Sequence, residues 1–154
     1  MSAPRAEAGN PYHALLLAHA RAPLHQHPLA RCDAAADGRN ALCGDNIHIE
    51  LNVCDGRISA YAFRAEACVL TVAAASMLGG RVRGLDQRAL RALAARFDQL
   101  LAGNAATEAC AGLGELAAFA ELAAFPSRHK CARLPFATLL AALHGSACAT
   151  TEEA

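Results

Sequence analysis

The clearest hydrophobic pattern in the chain is the alternation of aliphatic and polar residues from Ile47 to Val53. Successive side chains of a strand point to opposite faces, so this period predicts a half-buried strand. Asp55-Gly56 follows and is typical of a tight hairpin turn. A second strand is predicted from Ile58 to Ala65. The two strands should therefore form an antiparallel hairpin early in the chain.

After the hairpin, apolar residues recur at helical spacing. Helices are predicted at about 11–21, 68–78, 86–102, 113–124 and 131–143, the third capped by Asp86 and stopped by Gly103. Residues 22–45 are predicted to be a long connection, because two prolines interrupt any helix and Asp37-Gly38 indicates a turn. The pattern favours an α+β fold, with a small antiparallel sheet packed against several helices. We expect a flexible lead-in at 1–10, a single domain at 11–145 and a flexible tail at 146–154.

Composition narrows the classes of function. The chain has 154 residues, enough for one compact domain, and its 14 basic residues balance its 14 acidic ones. This balance argues against a nucleic acid or a membrane surface recognised by bulk charge, and no apolar run is long enough for a membrane span. Seven cysteines cannot all pair in disulfides. A reducing cytoplasm is expected, where clustered thiols are more often metal ligands or sulfur carriers.

Two cysteines stand where helices are predicted to begin. Cys68 lies at or near the start of an apolar helix, and Cys131 opens the last one. Pro135 supports the second assignment, because it has no N–H to bond to the Cys131 carbonyl and is harmless only in the first turn. Unpaired backbone N–H groups and the positive end of the helix dipole favour a thiolate at both positions. Thiolate is the form that binds metal and attacks a persulfide.

A third candidate group is Cys43-Gly44-Asp45, just before the first strand. The glycine lets the backbone turn so that a thiolate and a carboxylate face one point. Three sulfurs and one carboxylate oxygen complete a tetrahedral zinc site. A carboxylate is a harder and more exchangeable ligand than a thiolate, so such a site suits a metal whose ligands move during turnover.

Spacing alone does not establish a metal site. The intervals from residue 43 to 68 and from 68 to 131 carry no general metal signature, and no C-x2-C pair is present. For any one cysteine of an alanine-rich chain, a small buried core residue is the default interpretation. We keep that interpretation for the four remaining cysteines, Cys32, Cys54, Cys110 and Cys148.

Taken in order, the motifs resemble the SufU branch of the IscU/NifU N-terminal family over roughly residues 11–145. Residues 40–45 (N-A-L-C-G-D) are similar to the family's N-P-x-C-G-D, and Ala67-Cys68 stands where the family has Gly-Cys. Residues 73–77 resemble its S-A-S-x-M stretch. Residues 125–134 (F-P-S-R-H-K-C-A-R-L) are similar to F-P-x-R-x-K-C-A-x-L, the motif that separates SufU-like from IscU-like chains.

The resemblance implies an IscU/SufU-like fold and a role in iron–sulfur cluster assembly. It implies that zinc is held by Cys43, Asp45, Cys68 and Cys131, with Arg128 beside the site as a supporting charge. Cys43 would accept persulfide sulfur from a cysteine desulfurase of the SufS type, which makes the protein a zinc-dependent sulfurtransferase. Downstream cluster assembly or acceptor proteins would be its further partners.

Some residues depart from the family pattern. Ala41 replaces a proline, which we expect only to loosen the loop. Ala67 replaces a glycine, which costs on the order of 1 kcal/mol if that position requires a positive φ. Pro135 and the alanines at 73–75 are also unusual. His129 is expected to be exposed or supporting rather than a ligand, and five histidines are predicted to lie on the surface: His13, His19, His25, His27 and His48.

Two alternatives to the sulfur-relay function remain. In the first, which shares the pathway and the pocket, the protein is an IscU-like scaffold that assembles and transfers an iron–sulfur cluster. In the second, which belongs to a different class, the zinc is purely structural and no sulfur is transferred. A structural zinc predicts that the loss of any ligand unfolds the domain. The sulfur-relay and scaffold hypotheses both predict that Asp45→Ala keeps the fold and changes metal exchange.

Overall fold

The computed structural model describes residues 11–104, 112–145 and 148–150. In chain order the elements are helix α1 (Pro11–Arg21), strands β1 (Ala34–Asn40), β2 (Asp45–Cys54) and β3 (Arg57–Glu66), helices α2 (Val69–Gly79) and α3 (Gln87–Leu101), 3₁₀ helices at Gly114–Ala124 and Pro126–Arg128, helix α4 (His129–His144) and strand β4 (Cys148–Thr150). The strands form one sheet in the order β3-β2-β1-β4. The predicted α+β class is confirmed. The expected lead-in, Cys110 and residues 146–147 and 151–154 of the expected tail lie outside the described residues.

The predicted hairpin is present. Strands β2 and β3 pair antiparallel, with Ile49 opposite Phe63, and both of these side chains are buried. Asp55 and Gly56 have positive φ angles of 54° and 76°, as a turn matching the twist of the two strands requires. Alternate residues of β2 point into the core, so the period read from the sequence is the burial period of the strand.

Helix α4 lies against β1 and β2 and covers the inner face of the sheet. Helix α2 packs between α1 and α4, and seven of its eleven residues are buried. Helix α3 begins after Asp86, whose side chain accepts a hydrogen bond from the Ala89 N–H, as predicted for its cap. Its inward stripe includes Leu90, Leu93 and Phe97, and the chain leaves the helix at Gly103 with a φ of 95°. One continuous core results.

Strand β1 corrects the prediction that residues 22–45 form only a connection. Its sequence, A-A-A-D-G-R-N, contains no β-branched or aromatic residue, so its local preference for a strand is weak. The strand forms because its whole length pairs with β2, from Ala34–Leu51 to Asn40–Asp45. Tertiary pairing therefore overrides the local signal. The turn expected at Asp37-Gly38 is wrong, since both residues lie within the paired strand, and Gly38 instead serves close packing.

Gly38 allows helix α4 to approach the sheet. A Cβ at this position would overlap Oγ1 of Thr138 and lie 2.9 Å from a methyl group of Ile47. We expect Gly38→Ala to lower the free energy of unfolding by about 1–3 kcal/mol, because overpacking forces the strand and helix apart. Urea unfolding of the metal-free protein measures this. The double variant Gly38→Ala/Thr138→Ala should recover part of the loss, and equal stability of Gly38→Ala and wild type would contradict the prediction.

One helix start, one helix type and one further strand differ from the predictions. Helix α4 begins at His129, which places Pro135 inside the helix rather than in its first turn. The helix at 114–124 has 3₁₀ rather than α geometry. Cys148–Thr150, expected to belong to a tail, form β4 and pair in parallel with β1, so they add a strand to the edge of the sheet.

The cysteines expected in the core are also corrected. Cys32, Cys54 and Cys148 are exposed. Each lies on a loop, at the hairpin turn or on an edge strand, where the backbone leaves no interior volume for a small apolar side chain.

One histidine expected on the surface is buried. His19 bonds through Nδ1 to the Ser76 hydroxyl at 2.6 Å and through Nε2 to the Glu115 carboxylate at 2.9 Å. The Ser76 oxygen also accepts the Leu24 N–H at 2.8 Å. This network joins α1, α2 and the longer 3₁₀ helix, and it explains how a polar ring is accommodated in an apolar interior.

Candidate metal centre

The candidate ligands meet at one end of the sheet. Cys43 lies on the turn between β1 and β2, where Gly44 has a positive φ of 72° that lets the backbone reverse, and Asp45 is the first residue of β2. Cys68 is the N-cap of α2, and Cys131 lies in the first turn of α4. The turn and the two helix N-termini therefore converge from separate parts of the chain.

Three of the four predicted ligands form a compact cluster. One ligand atom each from Cys43, Asp45 and Cys131 lie within 4.8 Å of one another. The two sulfurs are 3.2 Å apart, close to the roughly 3.8 Å that two thiolates on one tetrahedral zinc would span. Asp45 and Cys131 are buried, whereas Cys43 is exposed. The cluster thus has a protected interior and one thiol that faces the surface.

Cys68 stands beside this cluster and is held to Asp45. Its backbone N–H donates to Oδ1 of Asp45 at 2.7 Å, and its Sγ lies 3.7 Å from Oδ2. The Cys68 thiol is half-buried and lies outside the group of three. The fourth predicted ligand is therefore close to the carboxylate but outside the compact group.

The electrostatics of the cluster differ from the expectation for Cys131. Burial raises the pKa of the Cys131 thiol, and the hydrogen bond with Cys43 and the neighbouring Cys68 and Asp45 raise it further. Position in the first turn of a helix therefore does not by itself make this group a thiolate. Crowded sulfur and carboxylate donors that repel one another's charge fit a bound cation, since a cation stabilises all of their ionised forms together.

Residues that departed from the family pattern are accommodated. Among the described residues other than glycine, only His25 and Asp55 have a positive φ, so Ala67 carries no such strain. The loop containing Ala41 is closed by a hydrogen bond from the Gly44 N–H to its carbonyl at 3.3 Å. His129 bonds through Nε2 to the Leu122 carbonyl at 2.6 Å, which agrees with a supporting role.

Two further polar residues at the site were not predicted from the sequence. Thr71 is fully buried and its hydroxyl contacts both Asp45 and the Cys131 backbone. Its position three residues after Cys68 was the available signal, because residues i and i+3 share a helix face. Asn40 lies directly across the strands from Asp45 and is 1% exposed, and its buried Oδ1 has no hydrogen-bond partner among the residues that the structure describes.

Fold and site together define a small α+β protein with a thiol–carboxylate centre at the end of its sheet. Comparison with known proteins gives the family. The NifU-like N-terminal domain family matches residues 11–132, and the chain belongs to it.

Two named relatives match most of the chain. The iron–sulfur cluster assembly scaffold protein IscU of Streptococcus pyogenes serotype M1 is 31% identical over 136 residues, which are 88% of this chain and 84% of the relative. The zinc-dependent sulfurtransferase SufU of Bacillus subtilis is 25% identical over 128 residues, 83% of this chain and 86% of the relative. Among solved structures, a hypothetical protein superposes with a TM-score of 0.79 at 29% identity, covering 86% of this chain and 96% of that one. The IscU/SufU-like fold implied by the motifs is confirmed.

Within the described residues, every helix is too short or too polar to cross a membrane.

Proposed function

We propose that this protein takes part in iron–sulfur cluster assembly as a zinc-dependent sulfur acceptor. Family membership and both named relatives support the pathway, and one of those relatives carries the name of a zinc-dependent sulfurtransferase. In this proposal Cys43, Asp45, Cys68 and Cys131 hold the zinc. The sulfur donor is a cysteine desulfurase of the SufS type, which works in the cytoplasm.

The observation that carries the proposal is the difference in exposure within the cluster. Cys43 is exposed on a turn, whereas Asp45 and Cys131 are buried behind it. A thiol that must reach a persulfide on another protein has to be accessible, while groups that hold a metal benefit from burial. The cluster therefore offers one acceptor and a protected set of ligands.

The reaction proposed for Cys43 is an exchange at sulfur. Its thiolate attacks the terminal sulfur of the desulfurase persulfide, a new S–S bond forms, and the bond between the two donor sulfurs breaks. The desulfurase cysteine leaves as a thiolate, and Cys43 carries the persulfide, with no net oxidation or reduction. Zinc, when bound, favours the thiolate form of its cysteine ligands at neutral pH.

The surface around the site suits contact with a partner protein. Leu42 precedes Cys43 and is 76% exposed, and Val69 follows Cys68 and is 48% exposed. Phe125, which precedes the turn into α4, is 58% exposed. Large apolar side chains left in water beside a functional site are typical of protein contact surfaces. Arg128 is also exposed and stands three residues before Cys131, where its charge is available to a partner or to a ligand.

The cluster-scaffold function is the second candidate. The Streptococcus pyogenes relative, at 31% identity, is named as a scaffold. The same donors would then hold an iron–sulfur cluster as cargo, and downstream cluster assembly or acceptor proteins would receive it.

The test is the turnover of the cognate desulfurase with excess cysteine and a reductant. Zinc-loaded protein is expected to stimulate it over many turnovers, and Cys43→Ala should abolish the stimulation. Cys54→Ala is the matched control, because Cys54 is also exposed but lies at the other end of β2, roughly 30 Å away. Absence of stimulation by folded, zinc-loaded protein would refute the relay and favour the scaffold or a structural zinc.

A further inference from the structure

The Thr71 hydroxyl lies at the meeting point of three candidate ligand segments. Its Oγ1 is 3.1 Å from Oδ2 of Asp45 and 3.0 Å from the backbone oxygen of Cys131. The same oxygen lies 3.5 Å from the sulfur of Cys68. Thr71 is fully buried, so these protein groups rather than water are its partners. A single side chain therefore contacts the start of β2, the start of α2 and the first turn of α4.

The Cys131 carbonyl is available to Thr71 because of Pro135. In a regular helix this carbonyl accepts the N–H of the residue four positions later, but proline has none. Because Pro135 lies inside α4, the Cys131 carbonyl lacks the hydrogen bond that it would accept within a regular helix. A buried carbonyl without a partner is costly, and the Thr71 hydroxyl supplies the missing donor.

We propose that Thr71 is a positioning residue of the metal centre and that Pro135 keeps the Cys131 carbonyl free for it. This inference rests on the proposed metal binding and deepens it. The hydroxyl has one proton and two acceptors at hydrogen-bond distance. The single proton is shared between the Asp45 carboxylate and the Cys131 carbonyl, so the hydroxyl holds the carboxylate beside the first turn of α4. When the carboxylate moves away, donation to Cys131 alone keeps both the hydroxyl and that carbonyl paired.

The first test measures zinc affinity by competition with a chromogenic chelator, without any desulfurase. Thr71→Val removes the hydroxyl at nearly constant volume and is expected to weaken zinc binding about 10-fold or more, as loss of a group that orients a ligand does. Thr71→Ser should restore affinity close to that of the wild type. Thr138→Val is the matched control, since Thr138 is equally buried and donates only to the Leu134 carbonyl of its own helix.

The second test uses the metal-free protein and therefore does not depend on zinc. Thr71→Val is expected to lower the thermal midpoint by about 3–6 °C, because it leaves the Cys131 carbonyl unpaired. In the Pro135→Ala background the N–H gained at position 135 satisfies that carbonyl. The effect of Thr71→Val should then be clearly smaller, which a double-mutant cycle detects as a coupling.

The outcomes separate this inference from the proposed function. Equal loss of zinc affinity in Thr71→Val and Thr138→Val would overturn the positioning role. Strictly additive effects of Thr71→Val and Pro135→Ala would overturn the role given to Pro135. If the wild-type protein bound no zinc, the proposed function and the positioning role would fail together. The metal-free cycle would then still decide whether Pro135 and Thr71 are coupled.

Discussion

Replacement of Asp45 by alanine is expected to leave the metal-free domain folded and to weaken zinc binding by more than about 100-fold. A ligand lost from the site should cost at least as much as the 10–100-fold seen when a group beside a ligand is lost. Asp45 is buried between the two thiol-bearing helix ends, and its oxygen is the hard donor that distinguishes this cluster from an all-thiol site.

The fold should survive because its core does not depend on the cluster. Large, fully buried side chains from the sheet, α3 and α4 are packed together away from the ligands. Circular dichroism and chelator competition measure fold and affinity on the same sample. Asp37→Ala is the control, since it removes an exposed carboxylate from the neighbouring strand. Unfolding of Asp45→Ala but not of Asp37→Ala in the presence of zinc, together with unfolding of the wild type when zinc is removed, would support a purely structural zinc instead.

Asp45→Asn sharpens the same experiment. The amide keeps an oxygen that accepts the Cys68 N–H but loses the negative charge. Zinc affinity close to that of the wild type in Asp45→Asn would contradict a role for the carboxylate as a ligand.

Phe97→Ala is expected to produce the largest loss of stability, about 3–5 kcal/mol in the free energy of unfolding. Phe97 is fully buried, stacks on Phe136 with ring centroids 4.6 Å apart, and meets the edge of Phe119 at 5.4 Å. Its removal leaves a cavity where α3, α4 and the longer 3₁₀ helix meet. The closely packed side chains around this cavity can move only partly into it, so most of the lost contacts are not replaced.

Urea unfolding of the metal-free protein tests this prediction. Phe125→Ala is a matched control, because Phe125 is 58% exposed and its loss should change stability by less than about 0.5 kcal/mol. If both substitutions lowered the free energy of unfolding by the same amount, Phe97 would not be a core residue and the prediction would be wrong. Phe125 also belongs to the proposed partner surface. If Phe125→Ala stays folded but no longer stimulates the desulfurase, the loss is one of partner contact and not of stability.

The sequence predicts those elements whose hydrophobic pattern and turn residues lie within one segment of the chain. The hairpin was predictable because alternation in β2 and the Asp55-Gly56 turn agree with each other. Strand β1 was not, since A-A-A-D-G-R-N acquires its conformation only by pairing with β2. The start of α4 was predicted two residues late, because Pro135 was assumed to require a first-turn position. Thr71 instead supplies the donor that a proline inside the helix removes.

The candidate site was predictable only through the ordered motifs. Cys43, Asp45 and Cys131 converge as the family resemblance implied, but nothing in their spacing contains that information. The four-ligand set remains a prediction, since Cys68 stands beside the group of three. His19 was misassigned to the surface because its partners, Ser76 and Glu115, lie far away in the chain. Contacts of this kind depend on the tertiary fold, and a local pattern does not report them.

The separation of the ligands along the chain sets the order of events during synthesis. Cys43 and Cys131 are 88 residues apart. At about 5–20 residues per second, the ribosome would release them roughly 4–18 s apart. During that interval the thiols of Cys43 and Cys68 have no third sulfur beside them, because α4 has not yet been made. On the proposed function we therefore expect metal loading to be a late step of maturation, which follows the docking of the last helix rather than guiding the nascent chain.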